Sequence, residues 1–306
     1  MESHPTALVV DMFGTSALGI ADEFNMLKFV CITSNARLFS VMLCTPEMDR
    51  KEIDYHVKKQ KPLNIPGCKP LKFEDTTEVS LSDGISVNTW DEIEPTCLKA
   101  LRDAKKVPCW STKLAWGLEL RQQRFVWVAR PPIENDAAGN FLTLGNGSNG
   151  TLNYLPEGFS ARTQDRGLVI PMWAPQVEIL SHPSIGGFLT HGGWNSALES
   201  IINGVPMIAW PLYSEQKMNA NILTEDIGAS IRVTTMKPDG VVGREEIRSM
   251  VRKILIDHEG RNIQTRIKEL KNSATRALVE GGSSYNSLSQ VAEICIQCLK
   301  TKAYGA

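Results

Sequence analysis

The chain has 306 residues, 42% of them hydrophobic and 22% charged, an ordinary globular composition with length enough for two domains that each bury a core. A formal net charge of -1, with no long run of like charge, excludes an electrostatic footprint for nucleic acid or an anionic membrane. Apolar stretches such as 204–212 are broken by Pro and far too short to span a bilayer, so membrane insertion is not expected.

Short β-rich runs then alternate with helical patterns. Residues 7–10 predict a buried strand and 29–33 a second, followed by a helix over 36–43. A further strand is expected at 84–89, leading to a helical segment at 93–104. A helix over 113–124 precedes a strand over 125–129, and strands follow at 167–171, 187–190 and 205–210. This alternation marks a parallel sheet wrapped by helices. From Gly243 the pattern is helical, with Arg244, Glu245 and Glu246 opening one helix and Gly260 closing it.

Residues 133–156 are rich in Gly and Asn and lack periodicity, which reads as a long surface loop. Gly145, Gly147 and Gly150 there spell GxGxxG. A dinucleotide fingerprint needs a strand before it and a helix after it, and neither pattern flanks these glycines, so no NAD site is expected. The first residues carry no basic n-region or apolar h-region, and the seven cysteines are scattered and odd in number. Together these predict no secretory leader and a reduced, cytoplasmic compartment. Cys295 and Cys298 form a CxxC without a second pair and read as half-buried thiols one helical turn apart.

The densest cluster of chemistry runs from Trp173 to Gln216. A strand reaches His191 and a Gly192-Gly193 turn, and a helix over 194–203 starts there and stops at Gly204. Free backbone N–H groups at such a helix start favour a diphosphate, and Asn195, Ser196 and His191 add side-chain donors. Glu199, one turn along, can accept both hydroxyls of a ribose. Trp173 offers a flat face for a uracil ring, and Glu215 and Gln216 can meet sugar hydroxyls. Each residue also has a structural reading: the glycines as a tight turn, and Trp173 and Trp194 as core aromatics.

Taken together, Trp173-Ala174-Pro175-Gln176, His191 through Ser196 with Glu199, and Ser214-Glu215-Gln216 resemble the plant secondary product glycosyltransferase box. The chain is similar to the plant family 1 UDP-glycosyltransferases. Leu8-Val9-Val10-Asp11, the run from Asp83 to Trp90, Gly117 with the strand at 125–129, and Gly281-Gly282-Ser283 extend the likeness, nearest to the subgroup that glucosylates hydroquinone, monolignols and related phenols. The resemblance implies an α/β, GT-B architecture of two Rossmann-like domains. It divides the chain into a remnant of the acceptor-binding domain (1–112), a UDP-sugar-binding domain (113–282) and a C-terminal helix packing back on the first domain (283–306).

It also implies site roles. Trp173 stacks on uracil, with the backbones of Ala174 and Gln176 beside it. His191, Trp194, Asn195 and Ser196 surround the diphosphate, Glu199 holds the ribose, and Ser214, Glu215 and Gln216 face the sugar. The implied reaction carries glucose from UDP-glucose to the hydroxyl of a small phenolic or flavonoid-type acceptor, with inversion and without a metal or other cofactor, in a monomer. The family commonly has Cys at the position of Gly192; because this is a turn, little harm to donor contacts is expected.

Departures from the family pattern concern the acceptor side and the sheet. In the family a His takes the acceptor proton and an Asp orients it. Asp11 matches that Asp; its structural reading is a cap where a strand meets a loop. The His has no counterpart, since its segment precedes this Asp and His4 lacks the flanking pattern. A helical segment is cut out between Glu78 and Ser82. Between Val107 and Leu114 the interdomain linker and the first strand of the donor domain are missing. That strand is central in a doubly wound sheet, so its loss opens the middle. The sequence therefore predicts a donor-binding half with impaired turnover or, alternatively, a non-catalytic UDP-sugar-binding or interaction protein derived from such an enzyme.

Overall fold

The computed structural model describes residues 5–11, 17–44, 50–59, 61–64, 69–70, 72, 110–121, 123–129, 155–171, 173–212, 215–233 and 242–304. The strand expected at 84–89, the helix at 93–104, the glycines from Gly145 to Gly150 and Ser214 lie outside these residues.

Near the N-terminus, β1 (Ala7–Asp11) and β2 (Leu27–Cys31) run parallel, joined across α1 (Leu18–Glu23). Parallel neighbours need such a crossover, because a tight turn can only reverse the chain. β2 begins and ends two residues before the 29–33 expected from sequence. Its bounds are set by register: five residues of β1 are matched one to one, from Ala7 with Leu27 to Asp11 with Cys31. α2 (Ala36–Cys44) follows, its start capped by Asn35, whose Oδ1 accepts the Leu38 N–H at 2.9 Å. α3 spans Arg50–Lys59.

α4 (Trp110–Arg121) leads into β3 (Phe125–Ala129). This helix stops three residues short of the predicted 124, because the Phe125 N–H already bonds the Arg166 carbonyl at 2.9 Å and its approach must be extended. α5 (Phe159–Thr163) and β4 (Gly167–Pro171) come next, with β4 parallel to β3. Then follow α6 (Gln176–Ser181), β5 (Phe188–Thr190), α7 (Trp194–Asn203), β6 (Met207–Ala209), α8 (Gln216–Asn221), a π-helical turn (Ile222–Asp226) and β7 (Ser230–Arg232). β6 is shorter than the predicted 205–210 because Val205 closes α7 instead, its N–H bonded to the Ser200 carbonyl at 2.9 Å. α9 (Arg244–Leu255), α10 (His258–Leu278) and α11 (Ser283–Tyr304) complete the chain.

β5, β6 and β7 form one parallel sheet in that order, while β3 and β4 form a separate parallel pair. A doubly wound sheet places its first strand between these two groups. Among the described residues no strand bridges them. Val126 and Val128 on β3 and Leu168 on β4 are exposed, whereas a parallel sheet normally hides both faces.

The three-stranded sheet is covered on both sides. Successive residues of β6 point to opposite faces, so Ile208 joins Trp210, Ile231, Ile247, Met250 and Ile254 under α9, while Met207 joins Ala197, Ile201, Leu223 and Ile267 under α7 and α10. A smaller cluster of Leu63, Met218 and Ile222, with Leu38, Val41 and Trp194 against it, ties the N-terminal elements to α8. Cys295 and Cys298 lie half-buried on α11 as free thiols, as their spacing suggested.

Gly260 corrects the sequence reading. It does not close α9, which ends at Leu255; it sits in the first turn of α10. A Cβ there would stand 2.2 Å from the Lys253 carbonyl oxygen and 2.4 Å from that of Ile254. The glycine is needed because two helix backbones touch, and linear sequence shows a stop and a close approach with the same letter.

Candidate functional site

β4 runs parallel to β3, and β5 parallel to β6, and the residues singled out above lie just beyond the carboxyl ends of β4, β5 and β6, where open parallel sheets bind ligands. After β5, the chain makes the turn from His191 to Gly193. Thr190 Oγ1 accepts the Gly192 N–H at 3.3 Å, and Gly192 adopts φ 81°, a left-handed bend that favours glycine. Gly193 serves space: a Cβ there would stand 2.4 Å from His191 Nε2. One glycine bends the chain and the other leaves room for the imidazole.

α7 begins at Trp194 with no side chain capping Gly193. Its first N–H groups and the positive end of its dipole therefore face the turn, which suits an anion. Ser196 and Glu199 lie three residues apart on one face of this helix. Both are held from α6: Gln176 Nε2 donates to Glu199 Oε2 at 2.6 Å and to Ser196 Oγ at 3.1 Å. The sequence reading gave Gln176 only a backbone role, and its side chain is the piece that reading missed. No local signal could have shown it, since the bond crosses between two helices.

Trp173 follows β4 and is 63% exposed, its face open, while Ala174 beside it is buried. Trp194 differs: its indole packs against two of the core clusters, as the core-aromatic reading allowed. Asn195 is exposed at the helix start. Gln216 opens α8 and is buried, its Oε1 accepting the Leu212 N–H at 2.9 Å. Glu215 precedes it and its charge acts on His191. Asn219, which sequence inspection passed over, donates to the Gly192 carbonyl at 2.9 Å and pins the turn from behind. Asp11 ends β1 opposite Cys31 and is exposed.

Protein packed around the His191 ring disfavours its charged form and lowers its pKa, partly opposed by Glu215. His191 keeps solvent contact at the turn. Unfolded, a histidine titrates near 6.5, above the folded value, so on acidification the unfolded chain binds the proton first. The His191 contribution to stability is thus complete above about pH 6.5 and lost as pH falls below it toward the folded pKa. Melting curves at pH 7.5 and 5.5 should show a smaller acid loss for His191→Asn than for the parent; an unchanged loss would contradict this.

Among the described residues no group of three or more His, Cys, Asp or Glu is placed to hold a metal ion, and no helix is long and apolar enough to cross a membrane.

Parallel strands with a glycine turn, a helix start and a carboxylate converging at their ends define a nucleotide-binding α/β protein. The family model described as UDP-glucoronosyl and UDP-glucosyl transferase matches residues 150–261. UDP-glycosyltransferase 72E1 of Arabidopsis thaliana is 40% identical, covering 96% of this chain and 75% of its own length. Hydroquinone glucosyltransferase of Rauvolfia serpentina is 37% identical over 94% of this chain and 75% of its own. The crystal structure of TcCGT1 in complex with UDP superposes with a TM-score of 0.77 at 36% identity, covering 97% of this chain and 78% of that one. The chain belongs to the plant family 1 UDP-glycosyltransferases, enzymes of the GT-B fold that use UDP-sugar donors. The alignment to the Arabidopsis relative runs over 366 residues, more than the 306 of this chain, so the relative carries internal segments with no counterpart here.

Proposed function

We propose that this chain binds a UDP-sugar across the ends of β4, β5 and β6, and that its reaction is transfer of glucose from UDP-glucose to a hydroxyl of a small phenol. One observation carries the reading: Gln176 ties Ser196 and Glu199 together on α7, whose uncapped start meets the His191 turn. Such a set suits a ribose beside a diphosphate. Trp173 stacks on the uracil, flanked by the Ala174 and Gln176 backbones. Glu199 takes the ribose hydroxyls, while His191, the N–H groups from Trp194, Asn195 and Ser196 take the diphosphate. Ser214, Glu215 and Gln216 face the sugar. The phenolic acceptor is proposed because a relative is named for hydroquinone.

In this reading the acceptor oxygen attacks the anomeric carbon opposite the departing UDP. The new C–O bond forms as the bond to the diphosphate breaks, which inverts the centre. The hydroxyl proton passes to water, because no residue here matches the family's general-base His; Asp11, at the carboxyl end of β1, is the carboxylate that would orient such a base. The division into 1–112, 113–282 and 283–306 belongs to the same reading; the exposed Leu288, Val291, Ile294 and Leu299 of α11 suit a helix that packs against another unit.

We further propose that turnover by this chain is impaired. Among the described residues no strand joins β3 to β5, and displacement of about 1 Å in a reacting group can cost on the order of a hundredfold in rate. This split also favours a second reading, a UDP-sugar-binding protein without catalysis. Incubation with UDP-glucose and hydroquinone, followed by chromatography of the glucoside, tests both. The expected rate is roughly a hundredfold or more below that of the Rauvolfia enzyme. A comparable rate would overturn the impairment, and failure to bind UDP-glucose would overturn the function itself.

A further inference from the structure

We propose that Asn35, far from the donor site in sequence, is a positioning residue for it, acting through Asn219 on the His191 turn. The inference rests on the reading of that turn as the diphosphate site.

Asn35 and Asn219 are both buried, at 4% and 0% exposure. Asn35 Nδ2 donates to Asn219 Oδ1 at 2.5 Å, and Asn219 Nδ2 donates to the Gly192 carbonyl at 2.9 Å. At the other end, Asn35 Oδ1 accepts the Leu38 N–H at 2.9 Å. The two amides therefore form one chain whose direction is fixed from both ends. Leu38 N–H can only donate and Gly192 C=O can only accept. Flipping either amide would set donor against donor or acceptor against acceptor, which is costly where water is excluded.

The relay has a purpose that the turn itself supplies. Gly192 is in the left-handed region, and glycine lacks a side chain to fix its own conformation. The Thr190 hydroxyl holds its N–H and Asn219 holds its carbonyl, so the peptide on either side of Gly192 is set by these two side chains. Asn219 also lies one turn after Glu215 on α8, its N–H bonded to the Glu215 carbonyl at 2.9 Å. One amide thus connects the α2 cap, the segment carrying Glu215 and Gln216, and the turn carrying His191.

A separate ion-pair group keeps α2 in place without Asn35. Arg37 pairs with Asp226, and Lys69 pairs with the same carboxylate at 2.5 Å. Removing the Asn35 amide should thus loosen the turn while α2 stays seated.

Two variants separate the relay from the helix cap. Asn35→Ser keeps a good N-cap oxygen for Leu38 but does not reach Asn219. Asn35→Asp keeps the cap and the size, and turns a carboxylate oxygen toward the Asn219 carbonyl oxygen. Hydrogen exchange of the full chain is expected to rise on the order of tenfold at Gly192 and Gly193, with residues 38–44 unchanged. UDP affinity by calorimetry should fall about tenfold, and in an Asn219→Ala background Asn35→Ser should add nothing further. Parent-like exchange and UDP affinity in Asn35→Ser, or additive losses in the double variant, would overturn the inference. If Asn35→Ser loses its fold, Asn35→Asp decides by the same readings. A parent protein that takes up no UDP overturns the donor-site reading and this one with it. A parent that binds UDP as tightly as Asn35→Ser overturns this one alone.

Discussion

Gly193→Ala is expected to weaken UDP binding on the order of ten- to a hundredfold while leaving the melting temperature close to that of the parent. The new methyl would stand 2.4 Å from His191 Nε2, so the imidazole must swing away from the turn. A side chain yields more easily than a backbone, and Gly193 has φ -58° and ψ 139°, values any residue adopts. The backbone therefore has no reason to unfold. In the proposed site, what is lost is a hydrogen bond from His191 to a charged phosphate, the kind that contributes most. Calorimetric titration with UDP beside a thermal melt checks both halves. Unchanged affinity would remove His191 from the diphosphate site, and a collapsed melting temperature would mean that the turn is structural.

Gly260→Ala should do the reverse. Its Cβ would meet the carbonyl oxygens of Lys253 and Ile254 at 2.2 and 2.4 Å, and neither is a flexible side chain. α9 and α10 must part, which disturbs Ile254 and Ile263 in one core cluster and Ile267 in the other. Overpacking of this kind costs about 3 kcal/mol. The thermal midpoint should fall on the order of 10 °C, with UDP affinity retained well below the transition. A midpoint within a degree of the parent would contradict the close approach.

The contrast between these glycines shows what the sequence could and could not convey. Strand β4 and the span of α7 were legible because each is bounded by local signals: a β-branched run after Gly167, and Gly204 after the last helical turn. β2 was misplaced by two residues because its ends depend on register with β1, which no local pattern encodes. Gly260 misled because a stop and a contact use the same residue. In the site, the residue types at the strand ends could be read from spacing, since the strand–turn–helix order puts His191, Ser196 and Glu199 together. The side-chain bond from Gln176 and the Asn35–Asn219 pair could not, because each joins segments that meet only after folding.

The split between β3 and β5 is of a different kind: among the described residues no strand joins them, at the place where the doubly wound order puts a first strand. That gap separates the two halves of the account. The proposed donor site is assembled mainly from β5, β6, α6 and α7, on the covered sheet and its flanking helix. The proposed impairment of turnover rests on the parts beside that gap.

The measurement that bears most directly on the account is a calorimetric titration of the intact chain with UDP, repeated on Glu199→Ala. Saturable binding is expected in the parent, weakened on the order of tenfold or more when the Gln176–Glu199 pair is broken. A folded chain that gives no heat with UDP, or binds NAD in its place, would contradict it.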